Sequence, residues 1–208
     1  MRSLVISLAI LLSASAFAQQ APEWELLPNS PFNGYRSEDV FFVDADNGWA
    51  VIGSGGGRVY RTTDGGDNWK NTSNPNGYLR STGFASSTKG WVGVLNSSAR
   101  LYETNDGGFT MTDVTSRIQP SIPGGICGIW VVNDQIAYAV GQYNGPAYVI
   151  KTTDGGQTWA STDLTLYVDT LIDVYFFDEL HGLAIGGLGE LTGAIVPRII
   201  GTDDGGAT

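Results

Sequence analysis

The sequence predicts an all-β fold, a β-propeller of four-stranded antiparallel blades, with about four blades present. Composition supports strands and turns over helices: 29 of the 208 residues are Gly, 11% are aromatic and only 15% are charged. No stretch shows a sustained 3.6-residue apolar period. A phrase also recurs, as RTTDGGDNW at 61–69, ETNDGGFTM at 103–111, KTTDGGQTW at 151–159 and GTDDGGAT at 201–208. Its aspartates are 42, 48 and 50 residues apart, and a period of about 40–50 residues is typical of propeller blades.

The first unit shows how one blade is divided into strands. Apolar segments at 39–44, 48–53, 58–63 and 68–72 alternate with turns rich in Gly, Asn and Asp, as short antiparallel hairpins require. The other units repeat this order. Large residues recur at two blade positions, which predicts that they pack one sheet against the next: Trp49, Trp91, Tyr138 and Leu183 at the first, and Trp69, Met111 and Trp159 at the second.

The first 18 residues have the pattern of a Sec-type signal peptide. Arg2 precedes an apolar stretch at 4–12, and Ala16-Phe17-Ala18 forms a cleavage site before Gln19. The apolar run is too short to span a bilayer as a helix. The sequence therefore predicts a secreted or periplasmic protein whose propeller blades occupy 19–208.

Charge and the rare residue types exclude several classes of function. Cleavage removes Arg2 and no acid, which leaves ten basic against 21 acidic residues and a net charge of −11. Such a chain is a poor candidate for nucleic acid, which binds mainly to Lys and Arg. Cys127 is the only cysteine, so no internal disulfide forms. His181 is the only histidine, so no two-histidine metal site can be built. We expect no cofactor.

The recurring phrase resembles the Asp-box, or BNR repeat, written S/T-x-D-x-G-x-T-W. An Asp carboxylate can accept hydrogen bonds from the turn's own amides, and Gly supplies positive φ at little steric cost. The resemblance implies a structural element that lies away from the active face of a propeller. The matching positions are Thr62, Asp64, Gly66 and Trp69; Thr104, Asp106 and Gly108; Thr152, Asp154, Gly156 and Trp159; and Thr202, Asp204 and Gly206.

A longer stretch resembles the photosystem II stability/assembly factor-like propellers. VFFVDADNGWAVIGSGGGRVYRTTDGGDNW at 40–69 carries this resemblance, which extends over the whole mature chain. The named members of that family bind photosystem II reaction-centre precursors and catalyse nothing. The resemblance therefore implies a non-enzymatic binding or scaffold protein with a protein or peptide partner, and a carbohydrate is an alternative ligand.

The candidate binding residues lie on the rim opposite the recurring turns, where the loops vary most in length. NGYRS at 33–37 and NGYLRS at 76–81 both lead into the first, innermost strand of a blade. We expect Tyr35 and Arg36, and Tyr78 and Arg80, to lie at equivalent places near the channel mouth. Two arginines there predict a site for an anion or an acidic partner. The alternative is that they pair with neighbouring acids such as Glu38.

A glycoside hydrolase of the sialidase or xyloglucanase type is the alternative function. Such enzymes need a pair of carboxylates at the channel mouth. Asp169 and Asp173 are the carboxylates that alignment places near a strand entrance. The sequence has neither the R-I-P pattern of sialidases nor a convincing third channel arginine, which favours the binding scaffold.

The last repeat lacks the fourth strand of its blade. PEWELL at 22–27 resembles an outermost strand such as NWKNT at 68–72, and a strand from one terminus can complete the blade of the other. Either 22–27 closes a ring of four blades, or it closes a later blade of a six- to eight-bladed protein of which this chain is an N-terminal fragment. The usual size of such propellers favours the fragment.

Overall fold

The computed structural model describes residues 24–31, 34–141, 145–189 and 193–207, and its four consecutive sheets confirm an all-β fold of propeller blades. The signal peptide predicted at 1–18 lies outside these ranges. The first blade consists of β1 (Ser37–Phe42), β2 (Gly48–Ile52), β3 (Arg58–Thr62) and β4 (Lys70–Ser73). The second consists of β5 (Tyr78–Phe84), β6 (Gly90–Leu95), β7 (Leu101–Thr104) and β8 (Thr112–Asp113).

The third blade has one strand more than the sequence predicts. A 3-10 turn (Thr115–Arg117) leads to β9 (Ile118–Gln119), which pairs in parallel with the outer edge of the third blade. This strand covers an edge that would otherwise present unpaired backbone groups. The other strands of the blade are β10 (Gly128–Val131), β11 (Ala137–Gly141), β12 (Tyr148–Thr152) and β13 (Trp159–Asp163).

The fourth sheet has three strands in the described part of the chain. They are β14 (Thr170–Phe176), β15 (Gly182–Leu188) and β16 (Val196–Thr202). Residues 24–27 lie outside any strand, and the Trp24 side chain is fully exposed. The structure therefore does not show 22–27 closing the fourth blade, and its role as a closing strand stays a prediction.

The first strands of successive blades pack side by side. β1 lies against β5, β5 against β10, and β10 against β14. These strands are therefore the innermost ones, as the sequence predicts. Each further strand of a blade pairs antiparallel with the one before it, so the blades extend outwards from this inner layer.

The four recurring turns share one hydrogen-bond pattern, and we call them box turns (residues 62–69, 104–111, 152–159 and 202–207). In the third, Thr152 Oγ1 donates to Asp154 Oδ1 at 2.8 Å and accepts from the Gly156 N–H at 2.8 Å. Asp154 Oδ1 also accepts from the Thr158 N–H at 3.0 Å. Both glycines of every box turn have positive φ, between 66° and 100°. The carboxylate and its threonine thus hold a loop that only glycine adopts without strain.

Each box turn is tied to the turn between the first and second strands of its own blade. In the first blade, the Gly65 N–H donates to Asp46 O at 3.0 Å, and in the second the Gly107 N–H donates to Thr88 O at 2.7 Å. Gly155 and Gly205 make the same contact. Both sets of turns therefore lie on one rim, the box rim. The remaining turns and the blade-to-blade connections lie on the opposite rim, which we call the connection rim.

The second strand of each of the first three blades carries an aromatic residue that docks onto the box turn of the following blade. Trp49 Nε1 donates to Gly107 O at 2.9 Å, and Trp49 stacks on Phe84 with centroids 3.6 Å apart. Tyr138 repeats both contacts, with Gly205 O at 3.1 Å and with Phe176 at 3.6 Å.

The interface between the second and third blades is made by different contacts. Trp91 meets Trp159 edge to face at 5.6 Å, and its Nε1 donates to Glu103 Oε2 at 3.2 Å. Arg117 Nη1 donates to Gly156 O at 2.8 Å and pairs with Glu103 at 3.1 Å. At this interface an arginine donates to the carbonyl of the second box-turn glycine, whereas the aromatic residues of the other two interfaces donate to the carbonyl of the first.

The apolar core is divided between the three interfaces. One cluster contains Trp49 and Phe84, a second Trp91 and Trp159, and a third Tyr138 and Phe176. Their burial confirms the predicted packing role of Trp49, Trp91, Tyr138 and Trp159, whereas Leu183 is 41% exposed. Cys127 is a buried cysteine, 3% exposed. No helix among the described residues is long and apolar enough to cross a membrane.

Gly156→Ala should destabilise the fold more than Gly206→Ala. Both residues have positive φ, which costs an alanine about 1–2 kcal/mol. A Cβ on Gly156 would lie 2.8 Å from the Trp91 ring, whereas nothing lies within 4 Å of one on Gly206. We expect a further loss of about 1–3 kcal/mol in Gly156→Ala from overpacking, measured by urea unfolding. Equal losses would show that the Trp91 contact does not constrain the turn.

The box-turn carboxylates should make the fold sensitive to acid. Hydrogen bonds from the Thr158 amide and hydroxyl lower the pKa of Asp154 from 3.8 to about 2. Because the folded-state pKa is the lower one, this stabilisation is present above about pH 4 and is lost as the pH falls towards 2. The free energy of unfolding should therefore fall less steeply between pH 4 and pH 2 in Asp154→Asn than in the parent. Asp203→Asn makes the same substitution at an exposed position of the fourth box turn. In this variant the free energy of unfolding should fall between pH 4 and pH 2 as steeply as in the parent.

Candidate functional site

The candidate site lies on the connection rim, where β1 and β5 begin. Tyr35 precedes β1, and its ring lies over Gly55 in the β2–β3 turn, where a Cβ would come within 2.3 Å of it. The Tyr78 ring covers Gly53 in the same way, at 2.5 Å. The two tyrosines therefore flank the end of one hairpin, and the residues between them form the site.

Arg36, Glu38 and Tyr78 form a closed network. Arg36 Nε and Nη2 donate to the two Glu38 carboxylate oxygens at 2.7 and 3.0 Å. The Tyr78 hydroxyl donates to Glu38 Oε1 and accepts from Arg36 Nη2 at 3.3 Å. The Glu38 side chain is only 3% exposed, whereas that of Arg36 is 74% exposed. Burial raises the pKa of Glu38, but hydrogen bonds from Arg36 and Tyr78 outweigh this and leave it below its usual value.

Arg80 is the basic residue of this site that lacks a close acid. It is half-buried, and its guanidinium donates a long hydrogen bond of 3.4 Å to the backbone carbonyl of Glu38. No carboxylate lies within 4.0 Å of it among the described residues. Its charge nevertheless acts on its surroundings: it adds to the effects of Arg36 and Tyr78 that lower the pKa of Glu38, and it opposes the burial that raises the pKa of Asp39. Most guanidinium donors of Arg80 are thus available to an incoming anion.

The strand register shows that the two arginines are not equivalent, contrary to the prediction. β1 and β5 each contain a β-bulge next to the site, at Glu38 and at Arg80. When the strands are aligned on these bulges, Arg80 matches Glu38, and Tyr78 matches Arg36. NGYLRS has one residue more than NGYRS between its tyrosine and its arginine, so in the sheet the two tyrosines are offset by one position and the two arginines by two. This offset puts an acid and two bases together instead of two parallel Tyr–Arg pairs.

Both sequence hypotheses for the arginines therefore apply, each to a different residue. Arg36 pairs with Glu38, which was the structural alternative, and Arg80 keeps the features of an anion site. Tyr78 joins the network, and Tyr35 lies beside it on the hairpin. The binding role of these residues stays a prediction.

Asp39 is a half-buried carboxyl that the sequence reasoning missed. Asp39 Oδ2 accepts from the Thr82 N–H at 2.8 Å, so it joins β1 to β5. Burial raises its pKa, and the charge of Asp173 raises it further, against the effect of the Thr82 and Val40 amides. Asp39 and Asp173 each follow the bulge of their strand. In the sequence, the alignment of EDVFF with IDVYF already indicated that the two aspartates hold equivalent positions.

The two carboxylates selected from the sequence are not placed as a pair. Asp169 accepts a hydrogen bond from the Gly189 N–H, which holds it on the β15–β16 connection. Asp173 accepts from the Val174 N–H at 2.9 Å and lies against Gly128 of the third blade. The charge of Asp173 is one of the contributions that raise the pKa of Asp39, after the burial of Asp39 itself. Among the described residues, no three His, Cys, Asp or Glu side chains cluster closely enough to hold a metal ion.

Comparisons with known proteins support the fold. No family model matches the sequence, and no curated protein matches it. A solved structure described as YCF48 bound to D1 peptide is similar with a TM-score of 0.54 and 18% identity, over 77% of this chain and 50% of that chain. An ancestral GH74 enzyme is similar with a TM-score of 0.63 and 18% identity, over 85% of this chain and 24% of that chain. The computationally designed Ika4 protein has a TM-score of 0.54 and 9% identity, over 86% of this chain and 98% of that chain.

These similarities concern architecture. At 18% identity or less they show that the chain consists of β-propeller blades. The chain spans half of the YCF48 structure and about a quarter of the GH74 enzyme. One of these two structures is a peptide complex and the other is an enzyme, so the fold alone does not decide between binding and catalysis.

Proposed function

We propose that this protein is a non-enzymatic binding scaffold that takes an acidic segment of a protein or peptide partner at the connection rim. The observation that carries the proposal is Arg80, a half-buried guanidinium without an acid within 4.0 Å among the described residues. Arginine binds carboxylates through two parallel hydrogen bonds. In a chain with 11 basic residues against 21 acidic ones, such a guanidinium gives this site a preference for acidic ligands.

The surrounding residues prepare Arg80 for a ligand. Arg36 and Tyr78 occupy the Glu38 carboxylate with hydrogen bonds, and Arg80 contacts only the backbone carbonyl of Glu38. The two tyrosine rings add apolar surface on the same hairpin, and Tyr35 is 50% exposed. A charged centre beside exposed aromatic surface is the composition expected of a peptide-binding site.

Two further observations support a partner of this kind. The solved structure with the peptide has the same fold over 77% of this chain, and the segment 40–69 resembles the assembly-factor propellers. Within this proposal the protein acts outside the cytoplasm, after export directed by residues 1–18.

Arg80→Ala should weaken the binding of acidic peptides. The probes are short fluorescein-labelled peptides rich in Asp and Glu, with neutral peptides of equal length, and anisotropy measures the dissociation constant. Loss of a charge-assisted contact of about 1.5–3 kcal/mol raises the dissociation constant by roughly 10- to 100-fold. Arg36→Ala should also weaken binding, because it releases Glu38 towards Arg80.

Arg198→Ala is the matched control for Arg80→Ala. Arg198 is an exposed arginine on β16, and its removal changes the net charge equally. It should alter binding only slightly. Equal weakening by the two variants would reduce the effect to net charge, and no preference of the parent for acidic over neutral peptides would contradict the proposal.

Glycoside hydrolysis is the second candidate function, and Asp39 is the observation that favours it. A glycosidase needs a general acid with a raised pKa beside a second carboxylate. Asp39 is half-buried, and desolvation raises its pKa, with a further contribution from the charge of Asp173. The two backbone amides bound to Asp39 oppose this function, because they favour its ionised form.

If the protein is a hydrolase, chromogenic sialyl or glucan substrates should be cleaved by the parent and not by Asp39→Asn or Asp173→Asn. Loss of a general acid lowers the rate by about 100- to 10,000-fold. Asp203→Asn, on the box rim, should leave the rate unchanged. An inactive parent, together with acidic-peptide binding that depends on Arg80, supports the scaffold.

A further inference from the structure

Each of the first three blades carries a row of three residues that lie opposite one another on its second, third and fourth strands. In the first blade, Trp49 lies opposite Arg61, and Arg61 lies opposite Lys70. The corresponding rows are Trp91–Glu103–Thr112 in the second blade and Tyr138–Lys151–Ala160 in the third. Each row begins with the aromatic residue of the interface to the following blade, so the rows can be compared position by position.

In the second and third rows, the charge at the middle position is satisfied within the protein. Lys151 Nζ donates to the carbonyl of Gly205 at 2.9 Å. The Glu103 carboxylate pairs with Arg117 at 3.1 Å. The residue opposite each of these charges on the fourth strand is uncharged. Both charged residues therefore belong to the interfaces between blades.

The row in the first blade instead places two positive charges next to each other. Like charges directly opposite each other on neighbouring strands destabilise a sheet. No carboxylate lies within 4.0 Å of Arg61 or Lys70 among the described residues. Arg61 Nε is also a buried donor that has no acceptor in the described part of the chain. An anion held between the two side chains would relieve their repulsion.

Arg61 and Lys70 both line a cavity of about 300 Å³ on the box rim. The cavity lies between the first and second blades, each of which has all four of its strands. Lys70 Nζ lies 5.2 Å from the ring centroid of Phe109 in the second box turn, and Arg61 Cζ lies 5.4 Å from that of Trp49. Aromatic rings thus position both cations at one opening.

Asp64 also lines this cavity, but its own turn occupies the carboxylate. Asp64 Oδ1 accepts from the Thr62 hydroxyl at 2.8 Å and from the Asn68 N–H at 2.9 Å. Asp64 Oδ2 accepts from Asn68 Nδ2 at 2.9 Å. The two basic side chains outnumber this acid, so the lining keeps a positive charge in a chain with 11 basic and 21 acidic residues.

We propose that this cavity binds one acidic sugar unit, such as a hexuronate, at a second site on the rim opposite Arg80. Its volume is at the lower limit for small-molecule sites and suits a single ring. Arginine binds a carboxylate through paired hydrogen bonds, and lysine adds a second positive charge. Phe109, which is 48% exposed, offers apolar surface to the C–H groups of the ring. The exposed Thr63 hydroxyl can donate to or accept from a sugar hydroxyl.

Calorimetric titration with a galacturonate trisaccharide tests the site, with the neutral galactose trisaccharide as the control ligand. The parent should bind the acidic trisaccharide in preference to the neutral one. Lys70→Gln should raise the dissociation constant by about 10-fold or more, because it removes a charge-assisted contact. Lys70→Glu should abolish binding, since the new carboxylate pairs with Arg61. Neither variant should unfold at a lower urea concentration than the parent, because each removes the repulsion from Arg61.

Lys89→Gln is the matched control for Lys70→Gln. Lys89 also lies on the box rim and over an aromatic ring, with its Nζ 5.6 Å from the Trp91 centroid, but it does not line the cavity. This variant should bind like the parent, and so should Arg80→Ala, whose site is on the other rim. Equal weakening by Lys89→Gln and Lys70→Gln would overturn the proposal. Equally tight binding of the neutral trisaccharide, or of inorganic sulfate, would also overturn it.

Discussion

The structure depends on the contact between an aromatic residue of one blade and the box turn of the next. A β-sheet blade can bury its faces only against its neighbours, and this contact sets the position of one sheet on another. Trp49 and Tyr138 do so with a stacked ring and a hydrogen bond to a glycine carbonyl. The carbonyl is presented correctly because Thr and Asp hold the turn and glycine permits its positive φ.

The same requirement explains why the residues of the recurring phrase are structural. Each box carboxylate is satisfied by its own threonine and by turn amides. It therefore serves the fold at the rim away from the candidate site. The opposite rim is not constrained by this repeated contact, so its loops differ in length and sequence. The Arg80 site and the Asp39–Asp173 pair both lie at the starts of innermost strands, which the regular outer blades hold in place.

Sequence reasoning located the blades well and the site in part. The period of the box aspartates and the alternating apolar strands are local signals, and they placed most strands within two residues. The extra strand of the third blade, β9, was missed because two residues are too few to show the alternating pattern of a strand. The predicted equivalence of Arg36 and Arg80 was wrong because the bulged strands place the two arginines two positions apart, which changes which residues are neighbours.

The sequence by itself determined the repeat, the conformation of the box turns and the identity of the packing aromatics, since these follow from residue types at short, fixed spacings. Only the tertiary structure determined which charged side chains lie close to one another. Glu38 pairs with Arg36 and with the Tyr78 hydroxyl of the neighbouring blade, and among the described residues no carboxylate lies within 4.0 Å of Arg80. Asp39 is half-buried, and the charge of Asp173, which lies in another blade 134 residues away in sequence, helps to raise its pKa. Such pairings depend on how strands from different blades lie side by side, and no local pattern encodes them.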